Sequence, residues 1–201
     1  MVMGYSNFKK ISQVTQRFGL DHRLYPVFEA KIKPVKPSRW LLETLEIAHV
    51  VPLSNEKVKA ERIISPILVE VAKHFREQIT LFSGEELTVE PAKDLSGPCD
   101  FFFALHPPKI EMEAPIISLT EAKNEDMEWG IAQCCAQMYA ASLYNLQHDK
   151  PTHTIYGCAT TGSEWQFLKF EQGLFTIDNR SFTEISQVLG VWHNIIHRFV
   201  P

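Results

Sequence analysis

No CxxC pair occurs in this chain, although it holds four cysteines, Cys99, Cys134, Cys135 and Cys158. A zinc ribbon is therefore not expected. Two of the four are adjacent in a helical segment, and all four read as reduced, small, buried residues. No apolar run approaches ~18 residues, so no membrane-spanning helix is expected. The opening stretch MVMGYSNFKKISQVTQ lacks the apolar core of a secretory signal. The expectation is a soluble, cytoplasmic protein, in which the acceptor pattern Asn179-Arg180-Ser181 carries no weight. Repeats and low-complexity tracts are missing. So is any excess of positive charge: the formal net charge is -4. That argues against a polyanion binder basic all over, and leaves room for a basic cleft on an acidic body.

What is present is an ordinary globular composition, with 45% hydrophobic residues over 201 positions, enough for one domain with a core. Residues 5–17 read as a short amphipathic helix, and 19–38, with three prolines, as an extended arm. Residues 39–49 read as a helix. Together these form an expected N-terminal extension, 1–53, ahead of a main domain, 54–201. That domain opens with a helix capped by Ser54, its apolar positions Ile63, Ile64, Ile67, Leu68, Val71 and Ala72 following the helical period. Pro66 inside the run implies a kink.

Beyond Phe75 the texture turns to short strands. A turn is expected at Ser83-Gly84. GPCDFFFALHPP and PIISLTEAK are β-rich runs, 125–147 is helical, THTIYGCATT and EWQFLKFEQ are strands joined at Thr161-Gly162-Ser163, and LFTID is a further short strand before a closing helix. The fold class is layered α/β, a mixed sheet covered by helices.

PIISLTEAK poses the chemical question. Side chains alternate along a strand, so Ile117, Leu119, Glu121 and Lys123 are expected on one face, with Ser118, Thr120 and Ala122 on the other. Charges at the end of a covered strand are costly unless paired or bound to a metal. Asp100 begins the preceding strand and can meet Glu121 on a neighbouring one. Two close carboxylates repel, and a hard cation such as Mg2+ relieves the repulsion. The Ala122 backbone carbonyl would add a third oxygen, and Lys123 would stand beside a bound phosphate. The plainer readings are a strand-end Asp100 accepting backbone amides and a structural Glu121–Lys123 ion pair.

Asp100 at a strand start, Glu121-Ala122-Lys123 ending an apolar strand and a following helix with spaced glutamines together resemble the PD-(D/E)XK nuclease superfamily, the restriction-endonuclease-like fold. The resemblance covers roughly residues 54–170. It implies a core of helix, three-stranded antiparallel meander, helix and strand. It also implies DNA hydrolysis with Mg2+ or Mn2+, and a catalytic set of Asp100, Glu121 and Lys123. Many members carry a glutamine on the helix after the lysine strand, which Gln133 matches. At about 100° per residue, Gln133 and Gln137 lie opposite the Ile131, Cys134, Cys135, Met138 side expected to pack on the sheet. A glutamate on the first core helix often joins the metal site. Glu61 matches best and Glu70 next; a solvated helix residue is the plainer reading of Glu61. Cys99 stands where the family often has proline.

The resemblance implies DNA as the partner. A homodimer would provide two active sites for duplex cutting, and a protein partner could supply specificity. The alternative function is a scaffold or nucleic-acid-binding module that keeps the fold without chemistry. His193 and His197 have an i, i+4 spacing but no HExxH glutamate, so a helix face is favoured over zinc. Arg62, Lys93, Lys169 and Arg180 are candidate phosphate contacts, though no basic cluster selects among them.

Overall fold

The structure, a computed structural model, describes residues 4–200. Seven strands form one mixed sheet in the order β1-β7-β6-β5-β4-β3-β2. They are β1 (Asp21–Leu24), β2 (Thr80–Glu86), β3 (Pro98–Ala104), β4 (Ile116–Ala122), β5 (Thr154–Thr160), β6 (Trp165–Glu171) and β7 (Leu174–Ile177). The helices are α1 (Ile11–Phe18), α2 (Arg39–Ala48), α3 (Glu56–Lys59), α4 (Ser65–His74), α5 (Met127–Gln147) and α6 (Ile185–Ile196). Residues β2 to β4 form an antiparallel meander, and α5 crosses over to β5, which lies parallel to β4. The order from α3 to β5 is thus the expected helix, three antiparallel strands, helix and strand. Among the described residues no helix is long and apolar enough to cross a membrane.

The sheet is covered on both faces because its strands alternate apolar residues in both directions. Phe101 and Phe103 point to one face and join a core built with α2, α4 and α6, among them Leu41, Leu68 and Trp192. Phe102 and Ala104 point to the other and join a core built with α1 and α5, among them Val14, Cys134 and Met138. All four cysteines are buried and free.

The first helix of the main domain departs from its simple period. Asn55, not Ser54, supplies the cap, its side chain accepting from the Val58 N–H. The segment Ala60–Ile64 is a π-helix continuous with α3 and α4, in which the Ser65 N–H reaches the Ala60 carbonyl five residues back. The widened turn sits just ahead of Pro66, which has no N–H to give to the helix. The π turn is how the chain absorbs the proline in place of a break.

Two further expectations are corrected. Ser83-Gly84 is not a turn between strands: β2 runs through it unbroken, with Gly84 at a positive φ of 71° that a side chain would rarely adopt. And Ile117 does not share a face with Leu119. The β3–β4 register shifts between Phe103 and Ala104, which pair with Ser118 and Ile116. Ile117 is the extra residue of a bulge, so it joins the α4/α6 core while Leu119 faces α5.

Residues 4–53, expected as an extension, are woven into the body. β1 adds to the sheet edge, parallel to β7. The fully buried Asp178 carboxylate accepts the Val27 N–H at 2.9 Å and holds Arg180, whose guanidinium donates to the Phe28 carbonyl at 3.2 Å. The arm is therefore tied down by a buried, charge-assisted cluster. α2 is anchored too: Ser38 caps it and is itself held by Glu70.

Candidate functional site

The C-terminal ends of β4 and β5 carry the site. β3 and β4 pair from Ala104↔Ile116 to Phe101↔Thr120. Beyond that point the Ala122 N–H donates to the Asp100 carboxylate, at 2.8 Å. Asp100 thereby sits in the gap where two strands part, beside the last residues of β4. Lys123 extends the β4–β5 pairing past Ala122, its N–H donating to the Thr160 carbonyl at 2.8 Å.

Glu121 and Lys123 are only 3% and 6% exposed, so their charges must be answered inside the protein. The Lys123 ammonium donates to Glu121 Oε1 at 2.6 Å, and Gln137 Nε2 donates to Glu121 Oε2 at 2.6 Å. Lys123 also stands 3.6 Å from Glu56 Oε1 and 5.3 Å from the centre of the Trp129 ring. Trp129 is a cation platform on this flank, since the Lys9 ammonium lies 4.8 Å from the same ring. Asp126 fixes the start of α5 by capping the Trp129 N–H.

Burial, together with the neighbouring Asp100 charge, pushes the Glu121 carboxyl up to about 7, against the pull of Lys123 and Gln137. Asp100 is also raised, chiefly by burial, despite its bond from Ala122. Burial works against the Lys123 charge, but Glu121, Glu56 and Asp100 outweigh it and hold the ammonium more firmly than usual. Lys123 therefore keeps its proton, and Glu121 is the group that titrates near neutrality. Its folded carboxyl binds a proton more tightly than the ordinary value of 4.5 allows. Metal-free protein should consequently gain stability as pH falls through about 7 towards 4.5, and lose that gain above about 7. Chemical denaturation across that window checks this; stability falling steadily from neutral pH to 5 would contradict it.

Asp100 lines a cavity of about 440 Å3 together with Glu56 and Glu61. Carboxylate and carbonyl oxygens are the donors that Mg2+ or Mn2+ takes, and here the Glu121 carboxyl is buried and the Asp100 carboxyl part-buried, both with raised proton affinity. Among the described residues, no group of three or more His, Cys, Asp or Glu side chains is placed to hold a metal together. What the described residues offer a cation here is two carboxylates, Asp100 and Glu121, beside the Ala122 backbone carbonyl, with each Glu121 oxygen also accepting a donor within the protein.

The helices place their residues differently from the expectation. Gln137, not Gln133, reaches Glu121; Gln133 is buried with its Oε1 unpartnered. The glutamines are not opposite the packed side. α5 is buried nearly all round, because α1 covers the face turned away from the sheet. Glu61 faces the Asp100 cavity, but its side chain is 60% exposed and its ionic partner is Lys57 at 3.9 Å. Glu56 is the helix acid that reaches Lys123. Glu70 is occupied by Ser38, away from the site. Glu56 was hidden because the π turn rotates everything ahead of Pro66; the proline itself was the available signal.

Elsewhere, His193 is half-buried against His74, ring centres 4.4 Å apart, and burial pushes its pKa down to about 4. Of the cations read as phosphate contacts, Arg180 is bound to Asp178, Lys169 to Glu171 and Lys93 to Glu90. Arg62 lines a shallow pocket beside α2.

Gly130 shows how tightly Lys123 is packed. A Cβ there would lie 2.9 Å from Lys123 Cγ, mid-chain, where the lysine cannot simply swing away. Gly130→Ala is expected to displace the ammonium from Glu121 and reduce whatever activity the site has by about tenfold or more, with a stability cost of about 1–3 kcal/mol. Kinetics and thermal unfolding check this; wild-type activity in the variant would show that the position of Lys123 does not matter.

The chain matches no family model, no curated protein and no solved structure.

Proposed function

We propose that this chain is a Mg2+-dependent deoxyribonuclease of the PD-(D/E)XK kind, hydrolysing DNA phosphodiester bonds. The observation that carries the reading is the convergence of Asp100, Glu121 and Lys123 where β3 and β4 part, with Asp100 bonded to the Ala122 N–H and Lys123 to Glu121. The order of elements from α3 to β5 supports it, as it is the order the resemblance implies.

Asp100, Glu121 and the Ala122 carbonyl would hold the divalent cation. When bound, it supplies charge that favours hydroxide over water and steadies the phosphate oxygens. Lys123 presents its ammonium to the phosphate and to the charge that grows on it as the water oxygen bonds to phosphorus. The attacking water gives up a proton to solvent, and the departing oxygen leaves with its electron pair and is protonated from water. Gln137 holds the second Glu121 oxygen and so fixes the carboxylate plane. Glu56, which lines the cavity, stands 3.6 Å from the Lys123 ammonium.

One observation favours a non-catalytic scaffold reading: each Glu121 oxygen already accepts a donor within the protein. A metal titration separates the two. With Mg2+ or Mn2+ at a hundred times its dissociation constant, the nuclease reading expects about 2.7 kcal/mol of added stability in the wild type and none in Asp100→Ala. Equal responses in both proteins would favour the scaffold.

A further inference from the structure

The helix that carries Glu56 separates two cavities. Glu56, Ala60 and Glu61 face the one lined by Asp100. Lys59 and Ile63 face another, of about 580 Å3, on the other side. This second cavity borders the same strand ends as Lys123. Its Lys59 donates to the carbonyl of Asn124, the residue after Lys123, at 2.9 Å. Its Thr161–Ser163 wall continues from Thr160, whose carbonyl takes the Lys123 N–H. The cavity wall thus begins at Thr161, the residue after the one whose carbonyl pairs with the Lys123 backbone.

The walls are preformed. Thr160 Oγ1 accepts the Gly162 N–H at 2.9 Å and donates to the Glu164 carbonyl at 2.7 Å. Trp165 Nε1 donates to the Gly162 carbonyl at 3.3 Å. Leu45, Leu53, Ile63 and Ile185 make the lining mostly apolar, with hydroxyls from Thr161, Ser163 and Thr183. The volume is within the range of ligand pockets, ~300–1,000 Å3. The charged or titratable side chains of the lining are few: Lys59, which bonds the Asn124 carbonyl, His49 and the exposed Glu46. A flat, largely apolar ring with polar edges suits it.

We propose that this cavity receives one unstacked nucleobase of the DNA strand whose phosphate meets Lys123. The proposal rests on the nuclease reading and extends it to how the strand is gripped. It also gives the N-terminal segment a role, because Leu45 and Leu53 come from α2 and the link after it. An unstacked base settles between apolar side chains and offers its edge to hydroxyls.

The test uses the full chain in metal-free buffer with a chelator, so that binding is read without turnover. Short single-stranded DNA oligonucleotides carry 2-aminopurine at each position in turn; its fluorescence rises when the base leaves the stack. Thr183→Tyr places a ring at the mouth from an exposed position, and Leu53→Phe fills the interior. The expected result is a fluorescence rise at one position with the wild type. Thr183→Tyr should lose the rise and bind roughly tenfold more weakly, the scale of one docked base, with an unchanged salt slope because the phosphate contacts remain. Thermal unfolding shows whether Leu53→Phe is folded; Thr183→Tyr decides alone if it is not. Binding without any rise, or a rise that persists in Thr183→Tyr, overturns the proposal while leaving the nuclease reading intact. No binding of DNA by the wild type overturns this proposal, and cleavage with added metal then decides the nuclease reading separately.

Discussion

Lys123→Ala is expected to lower DNA hydrolysis in Mg2+ by roughly 100- to 1,000-fold, the cost of removing one preorganised charge from a transition state. The loss should appear in kcat more than in KM, because the ammonium acts on charge that develops during the reaction. Lys123 is nearly buried, so the substitution also acts on the fold. It leaves Glu121 without its cation, a change that costs about 3–5 kcal/mol where the remaining charge cannot adapt. Here it can: the Glu121 carboxyl already titrates at about 7 in the presence of Lys123. Without the lysine it binds a proton more tightly still. The destabilisation should therefore be large at pH 8, above the folded pKa, and small at pH 5, where Glu121 is neutral. Lys123→Arg is not expected to restore activity, because the side chain is confined between Gly130, Trp129 and Glu121 and a planar guanidinium does not fit the space of an ammonium. Kinetics on the folded variants, with unfolding at both pH values, check this; a variant with wild-type kcat would remove Lys123 from the chemistry.

Asp100 carries the second large effect, and two substitutions divide its roles. Asp100→Asn and Asp100→Ala should both abolish metal-dependent stabilisation and cleavage, since each removes the anionic oxygens. Their metal-free stabilities should differ. The raised Asp100 carboxyl means that its charge is net unfavourable where it lies. Asp100→Asn removes that charge, and its amide oxygen can still accept the Ala122 N–H, so it should be as stable as the wild type or more so. Asp100→Ala leaves the buried Ala122 N–H without its acceptor, which costs about 1–3 kcal/mol. Equal stabilities of the two variants would show that the Asp100–Ala122 bond contributes nothing.

The strands and the helices around them were legible because their apolar residues repeat at clear periods. Where the reading failed, a local irregularity had shifted the period. The bulge at Ile117 moved one residue of β4 to the far face, and the π turn before Pro66 rotated α3, which hid Glu56 behind Glu61. The glutamines of α5 were misassigned for another reason. A helix covered on both sides has no single apolar face, and helical period alone does not say that Gln137 meets the sheet. Asp100, Glu121 and Lys123 were legible because charges at the end of an apolar strand need a partner. Their hydrogen bonds were not, since these depend on where β3 and β4 separate. The N-terminal arm was misread as an appendage: its short, polar β1 has no pattern of its own and is a strand only because β7 offers an edge.

The central claim is that Asp100, Glu121 and Lys123 form one hydrolytic site. Its most direct test is cleavage of single- and double-stranded DNA by wild type, Lys123→Ala and Asp100→Asn, purified side by side, with Mg2+, with Mn2+ and with chelator. Cleavage by the wild type is expected to require added metal, and to be lost in both variants while they remain folded. Cleavage of equal rate in all three proteins would assign the activity to a contaminant and contradict the account, as would a wild type that leaves every DNA form intact in both metals.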